Sequence, residues 1–460
     1  MNQASILLVN PWIADFAAYD LWSKPVGLLY VAKFLQKYGY KIQLLDFMDR
    51  LRWNFAGSSK SISGRGKYQK TIIPKPSVLK HVPRRYGLYG ATREQIIAAL
   101  QYCPLPDAIM VTSLVIFWYP GVQQTVALLR EIFPQTKIIL GGIYATLVPE
   151  HARCTIQPDY LIEGYGEKQS LMIIDDLVGI QRDYSLIPAI DDTGRLPLEL
   201  YSQIITAPIL TSRGCPMHCD YCATPLLNPH FIQRDPADVV SEILYYFHQL
   251  GIHQFAFYDD ALFINKQRHI IPILASLIKS GIAAEFHTPI GLFAREIDVQ
   301  LATLMRLSGF KTVRVSLEST SLKWQKVSSM KVTNNQFEQA LCHLERAGYK
   351  RSEIEVYLIM GLPGQTNQEI ETAIHYVAGQ GAITRLASFS PIPKTKIWQW
   401  ARTKGYNWNG MDPLLTNNTV YPCAGTDITV TQFYELRNLS NQMNQKIRNE
   451  IHQEESAWEV

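Results

Sequence analysis

Residues 204–225, IITAPILTSRGCPMHCDYCATP, run from an apolar strand straight into three cysteines at positions 215, 219 and 222. Spacings of four and three would line one face of a helix, and free cysteine is often buried as a small hydrophobe. Gly214 before the motif and Pro216 inside it predict a loop instead. Zinc needs four ligands, and His218, directly beside Cys219, supplies the fourth only if the loop contorts. An iron–sulfur cube in its ordinary electron-transfer form also takes four thiolates. The remaining cysteines, at 103, 154, 342 and 423, are distant and sit in unrelated contexts, so a cube with one iron left without a protein ligand is the economical reading.

Downstream of the motif, apolar runs alternate with helical stretches. The runs are FAFYDD (255–260), AEFHT (284–288), TVRVSLES (312–319), IEVYLIMG (354–361) and LASFSP (386–391). Between them lie PADVVSEILYYFHQLG, IIPILASLIKSG, VQLATLMRLSG, FEQALCHLERAG and EIETAIHYVAGQG, each ending on the glycine that a helix C-terminus favours. Six strand and helix units in succession predict a partial (β/α) barrel over residues 206–400, with its chemistry at the C-terminal ends of the strands. The cysteine motif occupies that position. Residues 401–460 are expected to form a small helical C-terminal region, whose last helix carries Phe433, Leu436, Leu439, Met443 and Ile447 on one packing face.

Upstream, SILLVN (5–10), KIQLLD (41–46), AIMVTS (108–113), KIILGG (137–142) and YLIEG (160–164) are strand-like, with amphipathic helical patterns between them. Continuous apolar strands joined by helices predict a parallel sheet covered on both faces. A Rossmann-like α/β sheet of about five strands is therefore expected over residues 1–178, followed by a linker containing Pro and Asp over 179–205. Ligands of such sheets lie at the carboxyl ends of the strands.

At 460 residues, 47% hydrophobic and 18% charged, the chain is neither disordered nor fibrous, and its length suggests about three domains. A formal charge of +4 argues against a nucleic-acid binder held by bulk charge. No run of about 18 apolar residues predicts a transmembrane helix. Residues 1–10 enter a strand without a signal-peptide pattern, and the scattered cysteines suit a reducing compartment, so a cytoplasmic protein is expected. Residues 50–95 hold eleven Lys and Arg against one acid, Glu94, and lack periodicity, so they are expected to be a long ordered or semi-ordered loop. Three readings of this loop are open: a cover over an anionic substrate group, a solvated surface, or a nucleic-acid patch in which Arg65, Lys67, Arg84 and Arg85 act with Tyr68, Tyr86 and Tyr89. The cover is preferred, because no compact RNA-binding module is visible.

The CxxxCxxC motif after the first strand of such a barrel resembles that of the radical S-adenosylmethionine (SAM) enzymes. The resemblance implies that Cys215, Cys219 and Cys222 hold three irons of a [4Fe–4S] cluster while SAM chelates the fourth. It further implies reductive cleavage of SAM to methionine and a 5′-deoxyadenosyl radical that abstracts hydrogen from substrate. Asp259 and Asp260 match the family position that contacts the SAM amino group, although a helix N-cap pair is the alternative. Ser316 and Glu318 match contacts to its ribose and amino-acid portion. Arg295 and Arg314 are candidates for its carboxylate or for structural ion pairs. YLIMGLPGQ resembles the family's GxIxGxxGE pattern through Gly361, with Tyr357 for the first Gly and Gln365 for the Glu, and Pro391 closes the sixth strand in SFSPIPKT.

KPVGLLYVAKFL, GGIYATLVPEH and YLIEGYGE resemble the cobalamin-binding domain that precedes the barrel in one large subgroup of these enzymes. That likeness places cobalamin (B12) between the sheet's carboxyl edge and the barrel mouth, near Asn10, Ser113, Leu114, Gly141, Gly142, Glu163 and Gly164. No Asp-x-His-x-x-Gly pattern occurs, and His81 and His151 do not follow the first strand, so no lower axial histidine is expected. The loop NPWIADFAAYDLW either faces the corrin or packs as an aromatic surface.

The expected activity is cobalamin-dependent methylation of an unactivated carbon in a small molecule, lipid or peptide, with a flavodoxin or ferredoxin as reductant. The rivals are a radical rearrangement or cyclisation with the same cofactors, and a non-catalytic iron–sulfur or corrinoid-binding protein.

Overall fold

The computed structural model describes residues 3–55, 64–190, 194–406, 408, 410–423 and 427–458, with the side chains of 450–458 left aside. Parts of the basic stretch (56–63) and of the expected linker (191–193) lie outside the described residues. The chain divides into two compact units, one of Met1–Pro208 with Asp412–Leu415, the other of Ile209–Met411 with Thr416–Val460.

In the N-terminal unit, strands β1 (Ser5–Asn10), β3 (Lys41–Asp46), β6 (Ala108–Val111), β7 (Lys137–Leu140) and β8 (Tyr160–Leu161) form one parallel sheet in the order β8-β7-β6-β1-β3. Their residues are almost all buried, so the strands read as unbroken apolar runs rather than alternating ones. This is a doubly wound order whose winding reverses between β1 and β6, and the crevice outside their carboxyl ends is the topological switch point. Asn10 and Ser113 border it.

The basic stretch is more regular than its sequence suggests. β4 (Lys70–Ile72) and β5 (Gly87–Tyr89) form a small antiparallel sheet with β2 (Ile13–Asp15), in the order β2-β5-β4. Strands of three residues are too short to display a period, and β2 pairs from more than seventy residues away, so no local pattern announces the sheet. Tyr68, Tyr86 and Tyr89 are buried within it, which withdraws them from base stacking, while Arg65, Arg84 and Arg85 remain exposed. The aromatic loop before it is also interior: Trp12 packs on Phe47 at 4.7 Å and Phe16 on Tyr86 at 5.2 Å, and Trp22 is 1% exposed. The segment around Tyr201 folds onto the same unit, with the Tyr201 hydroxyl donating to Asp46 at 2.8 Å and Lys24 over its ring.

In the second sheet, which starts at the boundary of the two units, β9 (Thr206–Ile209), β10 (Gln254–Phe257), β11 (Glu285–His287), β13 (Phe310–Glu318), β14 (Ile354–Met360) and β15 (Ile383–Ser388) follow one another in chain order, with β12 (Leu292–Phe293) beside β13. Between them run helices that end on the expected glycines and begin at side-chain N-caps. Asp235, Asp298, Thr333 and Thr366 accept from backbone amides at N-termini, and Gly251, Gly281 and Gly309 take the left-handed conformation at C-termini. Phe255, Phe257, Phe286 and Phe310 stack inside, with centroids 5.5 to 5.6 Å apart along the row.

A sequential, unclosed sheet leaves β15 with a backbone edge. The long helix Val430–Trp458 covers it, burying Phe433, Leu436 and Ile447, and Asn444 bonds both the amide (2.8 Å) and the carbonyl (2.9 Å) of Thr384. One side-chain amide thus satisfies one residue's pair of edge groups, which a neighbouring strand would otherwise take.

Candidate functional site

The loop after β9 carries the three cysteines. A two-residue ladder, Ser212–Arg213 with Ile232–Gln233, closes its base, and Asp259 anchors its entry. Both Asp259 oxygens are occupied internally: Oδ1 accepts from the Thr211 amide (2.9 Å), the Thr211 hydroxyl (2.7 Å) and the Ser212 hydroxyl (2.6 Å), and Oδ2 lies 3.1 Å from the Thr211 amide. His269 Nε2 meets the Thr211 hydroxyl at 2.8 Å, and burial together with nearby Arg234 lowers its pKa to about 4. Of the acidic pair, then, Asp259 fixes the angle at which the strand enters the loop. It is Asp260 whose charge reaches Cys215.

Asp260 is half-buried, and burial followed by repulsion from Asp259 pushes its pKa up to about 6. The Thr224 hydroxyl donates to it and accepts from the Cys222 thiol at 3.2 Å, linking the carboxylate to the cysteine loop. Backbone amides point at two of the sulfurs: Met217 N at Cys215 and Thr224 N at Cys222, each 3.4 Å away. All three thiols are free, and Cys219 is buried. Burial raises Cys215 to about 11 and also raises Cys219.

A second turn is bolted to this loop. Asp220 N donates to Val327 O at 3.0 Å, the Cys219 thiol to Ser328 O at 3.4 Å, and the Tyr221 hydroxyl to Ser328 Oγ at 3.2 Å. Its residues Ser329 and Met330 have φ of 56° and 50°, and Glu318 at the end of β13 has φ of 67°. Left-handed backbone at three non-glycine residues stores strain of the kind that collects at functional sites. The turn delivers Lys331, whose ammonium lies 3.2 Å from Glu318 Oε1, with side chains only 14% and 11% exposed. Lys331 was not a sequence candidate, since a lysine in SSMKVT carries no motif; the signal is its tertiary placement.

The donor set fits an iron–sulfur cluster with one open corner. Three unbridged thiols lie on one loop, two with amide donors aimed at sulfur, and the field of a buried cation reaches them. Among the described residues no three His, Cys, Asp or Glu side chains converge as a single-ion site requires. Thiolates on separate irons of a cube need no such convergence.

The other barrel candidates divide by environment. Ser316 is buried opposite Gly291, where an added Cβ would meet its hydroxyl at 2.0 Å. Arg295 pairs with Glu296 at 3.1 Å, and its Nη2 lies 3.7 Å from Met217 Sδ, against the cysteine loop. Arg314 is a structural ion pair with Glu355 at 2.7 Å and also bonds the Tyr357 hydroxyl at 3.1 Å. Gly361 has φ of 92° and faces the Phe433 ring, 2.7 Å from where a Cβ would stand. Gln365, 1% exposed, accepts from the amides of Gly361 (2.8 Å) and Leu362 (3.1 Å) and donates to Ile359 O (3.1 Å). A carboxylate lacks that donor, which explains physically why Gln stands where the family pattern has Glu. Pro391 is buried in the turn after β15.

At the switch point of the first sheet the candidates are knit to one another. Ser113 Oγ donates to Gly141 O at 2.6 Å and accepts from Ala145 N at 3.3 Å, and Ile143 N donates to Ser113 O at 2.7 Å. Gly142 has φ of 97°, and a Cβ there would lie 2.3 Å from Ser113 O. Asn10 donates to Asp46 at 2.7 Å, Leu114 is half-buried, and Glu163 pairs with Arg153 at 2.7 Å. Gly164 borders open space. Also missed from sequence is a cluster in this unit in which Tyr144 meets His151 Nδ1 at 2.7 Å and Tyr119 donates to Asp412 at 3.2 Å.

Residues 209–377 match the family model of the radical SAM superfamily. The chain is 23% identical over 472 residues, 87% of its length and 82% of the relative's, to cytidylyl-2-hydroxyethylphosphonate methyltransferase of Streptomyces wedmorensis. It is 21% identical to the anaerobic magnesium-protoporphyrin IX monomethyl ester cyclase of Cereibacter sphaeroides, over 65% of this chain and 53% of that one. Among solved structures, the radical SAM methyltransferase TsrM from Kitasatospora setae, with tryptophan substrate and a SAM analogue, superposes at a TM-score of 0.63 and 16% identity, covering 87% of this chain and 76% of TsrM. A second TsrM structure, with cobalamin and a [4Fe–4S] cluster bound, gives 0.61 over 86% and 77%. Among the described residues no helix is long and apolar enough to cross a membrane. With a doubly wound parallel sheet ahead of a partial barrel and three cysteines at that barrel's first strand, residues 209–377 carry a radical SAM domain, and the chain as a whole shares its fold with the radical SAM methyltransferase TsrM.

Proposed function

We propose that this chain is a cobalamin-dependent methyltransferase that acts by radical chemistry on an unactivated carbon of a small molecule, lipid or peptide. The observation that carries the reading is the cysteine loop, with three free thiols, amide donors at two sulfurs and a buried lysine beside them at the carboxyl end of β9. When bound, the cluster with SAM supplies a carbon radical, and cobalamin supplies a transferable methyl group.

The chain's own residues bind and orient. Cys215, Cys219 and Cys222 hold three irons, and Asp259 sets the loop's entry angle through Thr211 and Ser212. Asp260, with its pKa near 6, is predominantly ionised at neutral pH and suits a hydrogen bond from the SAM amino group. Ser316 and Glu318 are assigned to the ribose and amino-acid portion, Arg295 to the neighbouring carboxylate, and Gly361 and Pro391 to the wall beside the adenine. Asn10, Ser113, Leu114, Gly141, Gly142, Glu163 and Gly164 line the crevice assigned to cobalamin, where the three glycines allow close approach of a bulky ligand to the backbone. A cytoplasmic location and a flavodoxin or ferredoxin as electron donor complete the reading.

The test is anaerobic reconstitution followed by dithionite and SAM. Expected are 5′-deoxyadenosine, S-adenosylhomocysteine, a product one methylene heavier, and corrin absorbance that stays with the protein through gel filtration. A fully loaded wild-type protein that yields no 5′-deoxyadenosine would sink catalysis. The likeness to a cyclase favours one second reading, a radical cyclisation, which predicts 5′-deoxyadenosine without S-adenosylhomocysteine.

A further inference from the structure

Lys331 stands beside the cysteine loop with little access to water. It is a cation with a 14% exposed side chain, held at 3.2 Å from Glu318, its ammonium 5.4 Å from the Phe293 ring centre and 5.9 Å from that of Tyr221. Three hydrogen bonds fasten the preceding turn to Cys219, Asp220 and Tyr221, so the ammonium and the cysteine loop are positioned as one body. Its charge is felt at Cys215 and Cys219, and those of Cys219 and Cys222 are felt at Lys331. Two consecutive left-handed residues, Ser329 and Met330, bring it there, a conformation that persists only when its surroundings enforce it.

We propose that Lys331 is the fixed counter-charge of the cysteine-held cluster, raising its affinity for an electron, and that Glu318 moderates this effect. The inference rests on the cluster binding proposed above. Reduction by one electron adds a negative charge to the cluster and breaks no bond. Lys331 is already protonated, so no proton need follow. The electron comes from an external low-potential reductant, dithionite in the test. In a site screened from water the interaction of two charges falls only as the inverse of their distance, so one nearby cation changes the reduction equilibrium by on the order of tenfold.

The experiment is a potentiometric titration of reconstituted protein without SAM, followed by electron paramagnetic resonance, for wild type, Lys331→Met, Lys331→Arg and Glu318→Gln. Lys331→Met is expected to lower the reduction constant about tenfold, which is ~59 mV for a one-electron couple. Lys331→Arg stays near wild type, and Glu318→Gln shifts the potential in the opposite direction. A merely structural lysine would not produce shifts of opposite sign. If Lys331→Met folds but retains no iron while Lys331→Arg does, the charge is needed to gather the thiolates, which supports the proposal. Unmoved potentials in Lys331→Met and Glu318→Gln overturn it, even where SAM affinity falls, as does loss of iron from both lysine variants with the fold intact. A wild-type protein that takes up no cluster overturns the cluster reading itself, a different and separately visible result.

Discussion

The carboxyl ends of the two parallel sheets are built on opposite principles. At the switch point of the first, Ser113, Gly141, Ile143 and Ala145 satisfy one another's polar groups, and Gly141 and Gly142 carry no side chain. At the barrel, the loop after β9 offers free thiols, half-buried Asp260 and the Lys331–Glu318 pair, with strained backbone around them. The difference teaches that the same address serves two tasks. On the proposed reading, one end admits a ligand where glycines leave side chains out, and the other surrounds a cluster with charged and nucleophilic groups.

The largest expected effect separates these tasks. Cys219→Ala should reduce 5′-deoxyadenosine formation more than ~100-fold while leaving corrin retention in place. Full activity would contradict the ligand assignment, and loss of the corrin would show that the two sites are not independent.

Gly142→Ala strikes the other region. Its Cβ would lie 2.3 Å from a backbone oxygen at a φ that side chains rarely adopt, so destabilisation by about 3 kcal/mol is expected, with corrin retention lost and iron loading kept. A denaturation midpoint equal to wild type would remove Gly142 from the comparison.

Gln365→Glu restores the family's residue yet removes the donor to Ile359 O and buries a charge. About 2 kcal/mol of destabilisation follows, read by chemical denaturation, and an unchanged or higher midpoint would refute the role given to the amide.

The smallest effect is electrostatic. The folded pKa of His269, about 4, lies below its ordinary value of 6.5, so the unfolded chain binds the proton first. Its contribution to stability is whole above pH 6.5 and is lost as pH falls toward 4. His269→Gln should flatten that part of the melting-temperature profile of the cofactor-free protein. An identical slope in the variant would show that the neutral ring does not support the Thr211–Asp259 anchor.

Apolar runs such as SILLVN and IEVYLIMG, the glycines at positions 251, 281 and 309 and the CxxxCxxC spacing are local features, each complete within a few residues. They sufficed to foretell two parallel sheets, the order of the barrel and the place of the three thiols, because strand burial, helix termination and loop chemistry depend chiefly on near neighbours. What folding alone decided involves partners far apart along the chain. Ile13–Asp15 pairs with Gly87–Tyr89, Asn444 seals the edge at Thr384, Asp259 turns inward to Thr211, and Lys331 arrives beside Cys219. No local pattern encodes such contacts, since a buried ion pair or an edge amide is specified by the packing of whole elements rather than by the period of any one.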